Sequence, residues 1–374
     1  VFGLERREQV YEVDADVVFA EGLLLGQGGA TPSVTGEYDV NELFLEARVP
    51  ILEGNQDLAL DLGYRYSDYS TFGGESTYKV GFEYAPVDFL RVRAGFNRAV
   101  RVPNVDELFQ PQTNGLFGGN PNLKPEEADT ITFGVVVQPM DNLQFSIDYW
   151  SIDIEGIIGT VGGELIVEQC ALTGSAVFCD QVQRSATGSL WLGTTGKVND
   201  VNINQGSREW EGIDLAASYD VDVFGGNLAL TLTGTKMETK TYKPIQGDSS
   251  ADYDCVGLLN TDCFATPDWR SVVSATYDQG TAWSTNLRWR TMGEVSYDGT
   301  ADTIADGNLD TQHYIDLSLG YELNDNMAFI LGINNIVDEE PPLVGGTLQS
   351  NGNAPNGNYD ILGRQIFLNV ELTY

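Results

Sequence analysis

"GGNPNLKPEEADTITFGVVVQP" runs from Gly118 to Pro139 and changes character halfway. Its first half is Gly, Pro and charge, whereas from Ile131 the apolar residues Ile131, Phe133, Val135 and Val137 alternate with Thr132, Gly134 and Gln138. Apolar side chains at every second position mark a strand with one oily face. The polar lead-in marks a long connection. Such a strand needs something apolar against its oily side, and a second protein layer and hydrocarbon are the two candidates.

The same period of two recurs along the chain. Leu58, Leu60, Leu62, Tyr64 and Tyr66 alternate with Ala59, Asp61, Gly63, Arg65 and Ser67; Tyr78, Val80, Phe82 and Tyr84 with Lys79, Gly81 and Glu83; Leu90, Val92, Ala94 and Phe96 with Arg91, Arg93, Gly95 and Asn97. Further runs span Leu43 to Val49, Leu143 to Tyr149, Ile213 to Val221, Leu228 to Leu232 and Val273 to Tyr277. Others span Trp283 to Trp289, Ile315 to Leu323, Met327 to Ile333 and Ile366 to Tyr374. With a weaker run at Phe2 to Glu8, these predict about fourteen strands in an all-β chain. Helical periodicity is nowhere sustained.

The connections predict the architecture. Tight links ("LEGNQD", "APVDF", "QPMDN", "FGGN", "DQGTA", "NDN") alternate with long ones near 12–36, 101–128, 156–205, 241–268, 294–312 and 338–363; only the link near Thr71 to Glu75 is short out of turn. If every second link is long, all the long links share one rim, as in transmembrane β-barrels. Asp61, Arg65, Glu83, Arg91, Arg93, Asp148, Asp214, Arg288, Arg290, Asp316, Glu322 and Glu371 lie opposite the apolar face of their strands. A wet lumen suits so many charges better than a dry core does. Tyr and Trp recur near the ends of the apolar face (Tyr64, Tyr84, Trp283, Trp289, Tyr321, Tyr374), as an interfacial girdle requires.

Composition narrows the function classes. Lys plus Arg number 20 against 55 Asp plus Glu, a formal charge of −35, so nucleic acid is not an expected partner. The mean hydropathy of −0.18 resembles that of a soluble protein, but a barrel spreads its apolar residues over alternate positions and keeps this average low. No window holds 18 consecutive apolar residues, which excludes a spanning helix. The start, "VFGLERREQVYEVDAD", lacks the plan of a secretion signal. Cys170 with Cys179 and Cys255 with Cys263 lack CxxC spacing and predict two local disulfides. Each closes a short loop, is worth roughly 2 to 3 kcal/mol, and implies an oxidising compartment.

Four ordered motifs carry a family resemblance. "RVPNVDELF" (Arg101 to Phe109), "GNPNLKPEEADTITFGV" (Gly119 to Val135), "INNIVDEEPP" (Ile333 to Pro342) and "YDILGRQIFLNVELTY" (Tyr359 to Tyr374) resemble, in order and spacing, the C-terminal half of TonB-dependent outer-membrane receptors. "LLGQGGATPSVTGEYDVNELFLEARVPI" and "FCDQVQRSATGSLW" look like the large proteobacterial branch. The resemblance covers essentially residues 1–374 and implies a 22-stranded barrel in the outer membrane of a Gram-negative bacterium. It also implies an N-terminal plug and a segment contacting TonB. With about fourteen strands in hand, the expectation is the C-terminal portion of such a barrel, the plug, the TonB-contacting segment and the first strands being absent from this chain. Implied partners are outer-membrane lipid, those missing parts of the same receptor, TonB through the plug, and a small-molecule nutrient: siderophore, corrinoid, oligosaccharide or peptide. The alternative readings are a plug-less passive channel or surface-binding barrel, and a secreted Asp-rich β-protein.

Within the "NPNLKPEEAD" stretch, Pro121 and Pro125 restrict the backbone while Glu126, Glu127 and Asp129 are placed to pair with arginines, which favours a structural role in re-entry to the wall. Residues 104–120 lack the His that haem-binding members tend to carry, and His313 begins a strand as a rim residue, so no cofactor is expected. Neither a GxSxG elbow nor an HExxH pair is present, and an enzyme is not expected. The Asp-rich links lack EF-hand spacing and are read as solvated loops rather than metal sites. Phe109, Phe117, Trp191, Tyr242, Tyr253, Phe264, Trp269, Tyr297 and Tyr359, aromatics in or bordering the long links, remain as candidates for stacking on substrate.

Overall fold

A computed structural model describes residues 1–25, 30–54, 56–110, 118–190, 196–244, 249, 252–260, 263–280, 282–297, 307–345, 354–355 and 357–373. Fourteen long strands form one antiparallel meander: β1 (Phe2–Val13), β2 (Val34–Leu52), β3 (Asp57–Tyr69), β4 (Gly73–Val87), β5 (Leu90–Arg101), β6 (Glu126–Met140) and β7 (Leu143–Glu155), then β8 (Ser207–Val223), β9 (Gly226–Lys243), β10 (Trp269–Asp278), β11 (Trp283–Met292), β12 (Gln312–Asn324), β13 (Met327–Asn334) and β14 (Gln365–Leu372). Each pairs with its neighbours in sequence, as hairpin-linked strands can without crossovers. A two-residue strand, Tyr253–Asp254, adds to β9. The sheet is open, β1 and β14 each having one strand partner among the described residues.

Register turns sequence alternation into continuous rows. Phe82, Ala94, Phe133, Tyr149 and Ile213 lie side by side across β4 to β8. Ala275, Leu287, Leu317, Ile333 and Ile366 do the same across β10 to β14. Because side-chain direction repeats every two residues, one register fixes which face each strand presents. These rows are bare. Phe133 is 52%, Leu287 47% and Ile366 70% exposed, and the buried apolar clusters lie in the links rather than under the wall. A sandwich would have hidden this face against a second sheet.

Gly212 shows how the pattern survives an irregularity. The β8–β9 register shifts between Glu211 and Gly212, and a Cβ at Gly212 would sit 2.6 Å from the Trp150 ring and 2.8 Å from the Lys236 carbonyl. Only glycine fits this bulge.

Links at one rim are two to four residues long (53–56, 88–89, 141–142, 224–225, 279–282, 325–326). At the other rim they span 14–33, 102–125, 156–206, 244–268, 293–311 and 335–364, with 70–72 the one short exception. The long links carry structure that the sequence reading lacked: a helix at Gly163–Thr173 and a four-stranded sheet of Leu258–Asn260, Phe264–Thr266, Val295–Tyr297 and Asn308–Leu309. The helix buries one residue, Ile166, among Phe178 and Val198, so eleven residues display no sustained stripe.

Leu317→Arg in the apolar row is expected to destabilise a liposome-inserted protein by about 2 to 4 kcal/mol near the bilayer midplane, while Ser318→Arg on the opposite face costs far less. Denaturant unfolding from liposomes measures both, and equal losses would reject the assignment of faces.

Candidate functional site

The polar face of the wall is organised by ion pairs between neighbouring strands. Glu42 on β2, 5% exposed, accepts from the Ser67 hydroxyl at 2.6 Å and from Arg65 and Arg7 at 3.3 and 3.2 Å. Arg48 joins Asp61 (3.1 Å) to Glu83 (3.5 Å), and Arg91 reaches Glu83 from β5. Arg93 makes two 2.7 Å bonds to Asp148, a fork matched to a carboxylate. Apart from those of the buried Glu42 carboxylate, these pairs are exposed enough for water to screen them, so they set side-chain direction more than stability.

At the long-link rim the "RVPN" and "NPNL" stretches are one device. Asn104 caps the short helix Val105–Phe109 by accepting from the Glu107 N–H while the Glu107 carboxylate accepts from the Asn104 N–H, both at 2.8 Å. Arg101 donates to Glu107 and also to Glu126 across the strand pair, and Glu126 accepts from the Ile158 N–H at 2.7 Å. Leu108, Leu123 and Ile158 close over this polar centre. Asn120 donates to the Asn202 carbonyl and Asn204 donates to the Lys124 carbonyl, tying the 102–125 link to the 156–206 link. Glu127 and Asp129 both pair with Arg98.

Two disulfides, Cys170–Cys179 and Cys255–Cys263, staple the long links. Beside the first, buried Asp200 accepts from the Val161 and Gly162 N–H groups at the start of the helix. Burial holds its carboxyl above the ordinary carboxylate range, against the opposing pull of those donors. The second belongs to the loop sheet, in which Leu258 and Leu259 pair in parallel with Ser296 and Tyr297 and so join two links. Leu259, Ala265, Val295, Leu309, Val344 and Tyr359 form its core.

The last link, 335–364, is latched onto the wall. Arg290 donates to Asp316 and, at 3.0 Å, to Asp360, while Arg288 also reaches Asp316 at 2.8 Å. The Asn335 N–H donates to Asp316 at 2.9 Å. Its side chain brackets the Glu339 backbone through two 2.8 Å bonds, holding a residue at φ 53°. Asn358 donates to the Ala265 carbonyl. These contacts account for the "INNIVDEEPP" and "YDILGR" motifs as anchors.

Of the nine aromatic candidates, Phe117 and Trp191 lie outside the described residues, as does the terminal Tyr374. Tyr242 and Tyr253 stack at 5.2 Å and 13°, with the Arg208 guanidinium 5.0 Å from the Tyr242 ring. Trp269 lies over Gly234 on the apolar face, in register with Lys236. Phe264 is exposed, Tyr297 packs against the loop core, Tyr359 is inside it, and Phe109 lies against Gly36. His313 is exposed, 3.3 Å from the Thr291 hydroxyl. The structure therefore brings together Tyr242 with Tyr253, and Tyr297 with Tyr359, and separates the rest. It adds three cations that sequence reasoning missed, Arg208, Lys240 and Arg270. The available signal was that Arg208 shares the parity of Asp214 and that Arg270 has the parity opposite to Val273 and Ala275; Lys240 shares the parity of Leu228, Leu230 and Leu232 and reaches the polar face only through the register shift at Gly212.

Asp360→Asn is expected to weaken the latch by about 1.5 kcal/mol and raise the open population of the 335–364 link roughly tenfold. Limited proteolysis would show faster nicking there with the wall intact. Tyr359 has a buried hydroxyl without a hydrogen-bond partner among the described residues, and burial pushes its phenol up to about 12 from 10.0. The stability tied to its neutral form is thus full below pH 10 and lost as pH rises through 12. Tyr359→Phe should remove that alkaline loss and gain about 1 kcal/mol at neutral pH, read by thermal unfolding of the protein at several pH values.

Comparison with known proteins gives three findings. The family model described as TonB dependent receptor-like, beta-barrel matches residues 7–336. A vitamin B12 transporter, BtuB of Vibrio vulnificus, is 24% identical over 209 residues, covering 52% of this chain and 33% of the relative. Among solved structures, the ferric enterobactin receptor PfeA of Pseudomonas aeruginosa superposes with a TM-score of 0.69 at 17% identity, covering 100% of this chain and 50% of that one. The siderophore receptor PirA of Acinetobacter baumannii gives 0.63 at 15% identity, covering 100% and 52%. The chain spans a third of the curated relative and about half of these solved structures.

Proposed function

Because the chain belongs to the TonB-dependent receptor β-barrel family, we propose that it forms wall and mouth of a Gram-negative outer-membrane receptor that binds a scarce nutrient for energised uptake. The observation that carries this reading is the pairing of a bare apolar face with an ionic one, beneath long stapled links gathered at a single rim. A wall of this kind is stable where hydrocarbon meets one side and water the other. Its short-link rim would face the periplasm and its long-link rim the outside. Oxidised cysteines fit the outer rim.

Cargo binding would be non-covalent, with the links recognising it and a plug in the parent receptor gating the lumen. TonB, acting through that plug, would supply the energy. The named relatives make corrinoids and ferric siderophores the first cargoes to test, with oligosaccharides and peptides behind them. A passive channel remains the second reading, since the open sheet is itself compatible with a barrel of either kind.

Uptake by cells expressing the full-length parent, with and without TonB, separates the two. Accumulation of cobalamin or an iron complex that stops without TonB supports the receptor; equal accumulation in both strains supports the channel. The orientation has its own check. On intact cells, an impermeant thiol reagent is expected to label Ala186→Cys in the 156–206 link and to spare Asp325→Cys in the 325–326 turn. The reverse pattern would invert the topology.

A further inference from the structure

Arg208, Lys240 and Arg270 break the rule that governs the polar face. In a chain with 55 carboxylates and 20 Lys plus Arg, the cations of that face are mostly tied to acids on adjacent strands. These three form no ion pair among the described residues. Register places them together: Arg208 opposite Tyr242, Lys240 opposite Trp210, and Arg270 opposite Thr235, all toward the long-link rim. Lys240 is within electrostatic reach of both arginines. Its ammonium donates to the Thr266 hydroxyl at 3.0 Å, and the nearby Asp254 carboxylate accepts instead from the Lys240 and Val256 backbone N–H groups.

Around Lys240 and Arg270 lies a usable recess, with Arg208 outside its lining. Lys240, Arg270, Thr266, Phe264 and Asn358 line a cavity of about 280 Å³ where the stapled link meets the wall. Arg270 and Asn358 also line a larger cleft of about 630 Å³ running down the polar face to Arg93. Trp210, the register partner of Lys240, has a buried indole N–H without an acceptor among the described residues. Three cations without an ion pair among the described residues, Arg208 having Glu126 within longer electrostatic reach, favour one occupant, a group rich in negative oxygen. Like charges this close repel until something anionic enters.

We propose that Lys240, Arg270 and Arg208 are the anion-recognising part of the cargo site, so that the cargo is a small polyanion bearing carboxylate, phosphate or phenolate oxygens rather than a neutral sugar or neutral corrinoid. This rests on the uptake reading above and selects among its cargoes. The stacked Tyr242–Tyr253 pair lies beneath Arg208, Tyr242 being two residues along β9 from Lys240. A carboxylate from another segment of the full receptor is the competing source of the same chemistry.

The test titrates purified full-length receptor with citrate and pyrophosphate, using glucose as the neutral control, and follows heat of binding at low and high salt. Saturable binding of the anions alone, weakened by salt and reduced roughly tenfold or more in Lys240→Gln/Arg270→Gln, is expected. Lys240→Arg, which keeps the charge, should retain it and serves as the folded comparator. Absence of saturable anion binding in the wild type overturns the inference, as does binding that the double variant leaves unchanged. A double variant with a lowered melting temperature and unaltered anion binding assigns the cations to an internal carboxylate and also overturns it. TonB-dependent uptake by the wild type, measured in parallel, survives each of these failures if only the anion assignment is wrong.

Discussion

Antiparallel pairing at a period of two is the constraint on which the rest of the molecule depends. Once β5 and β6 pair with Phe96 beside Ile131, every other residue of both strands is committed to a face. The commitment passes from strand to strand, so residues far apart in sequence, such as Leu287 and Ile366, occupy one row. Backbone groups are satisfied within the sheet, which frees one whole face to be apolar without any protein layer covering it.

Polar and apolar faces solve different problems. The apolar rows need area and shape only, which is why Leu, Ile, Val, Phe, Tyr and Trp substitute for one another along them. On the other face, charges are arranged by partners: a buried Glu42 gathers Arg7, Arg65 and Ser67, and Arg93 is held by Asp148. Where such partners converge on a link, as Arg290 does through Asp360, an ionic contact becomes a tether between wall and loop.

Much of this was legible from residues alone, and the limits have physical causes. All fourteen alternating runs correspond to wall strands, because alternation is a property of the strand itself. Their ends were not legible: β2 covers Val34–Leu52, whereas apolar alternation marks only Leu43 to Val49, since pairing continues past the last apolar row. The disulfides followed from spacing, and both are present. The helix at Gly163–Thr173 was hidden because a staple and a single buried Ile166 hold it, leaving little periodicity to read. Aromatic candidates were chosen by position in or near long links, but the way a link residue faces is decided by tertiary packing. Tyr359 went into a loop core and Trp269 onto the wall, whereas Tyr242 and Tyr253 stacked. Arg208, Lys240 and Arg270 escaped notice because a lone cation in a strand looks solvated until its neighbours are known.

The parallel pairing of Leu258 and Leu259 with Ser296 and Tyr297 makes two links share one small sheet, with Tyr359 of a third in its core. Mouth segments in this protein are thus not modular. Anyone grafting a new epitope or specificity onto it would have to exchange three segments as a set, because a transplanted single segment arrives with an unpaired edge and half of a core.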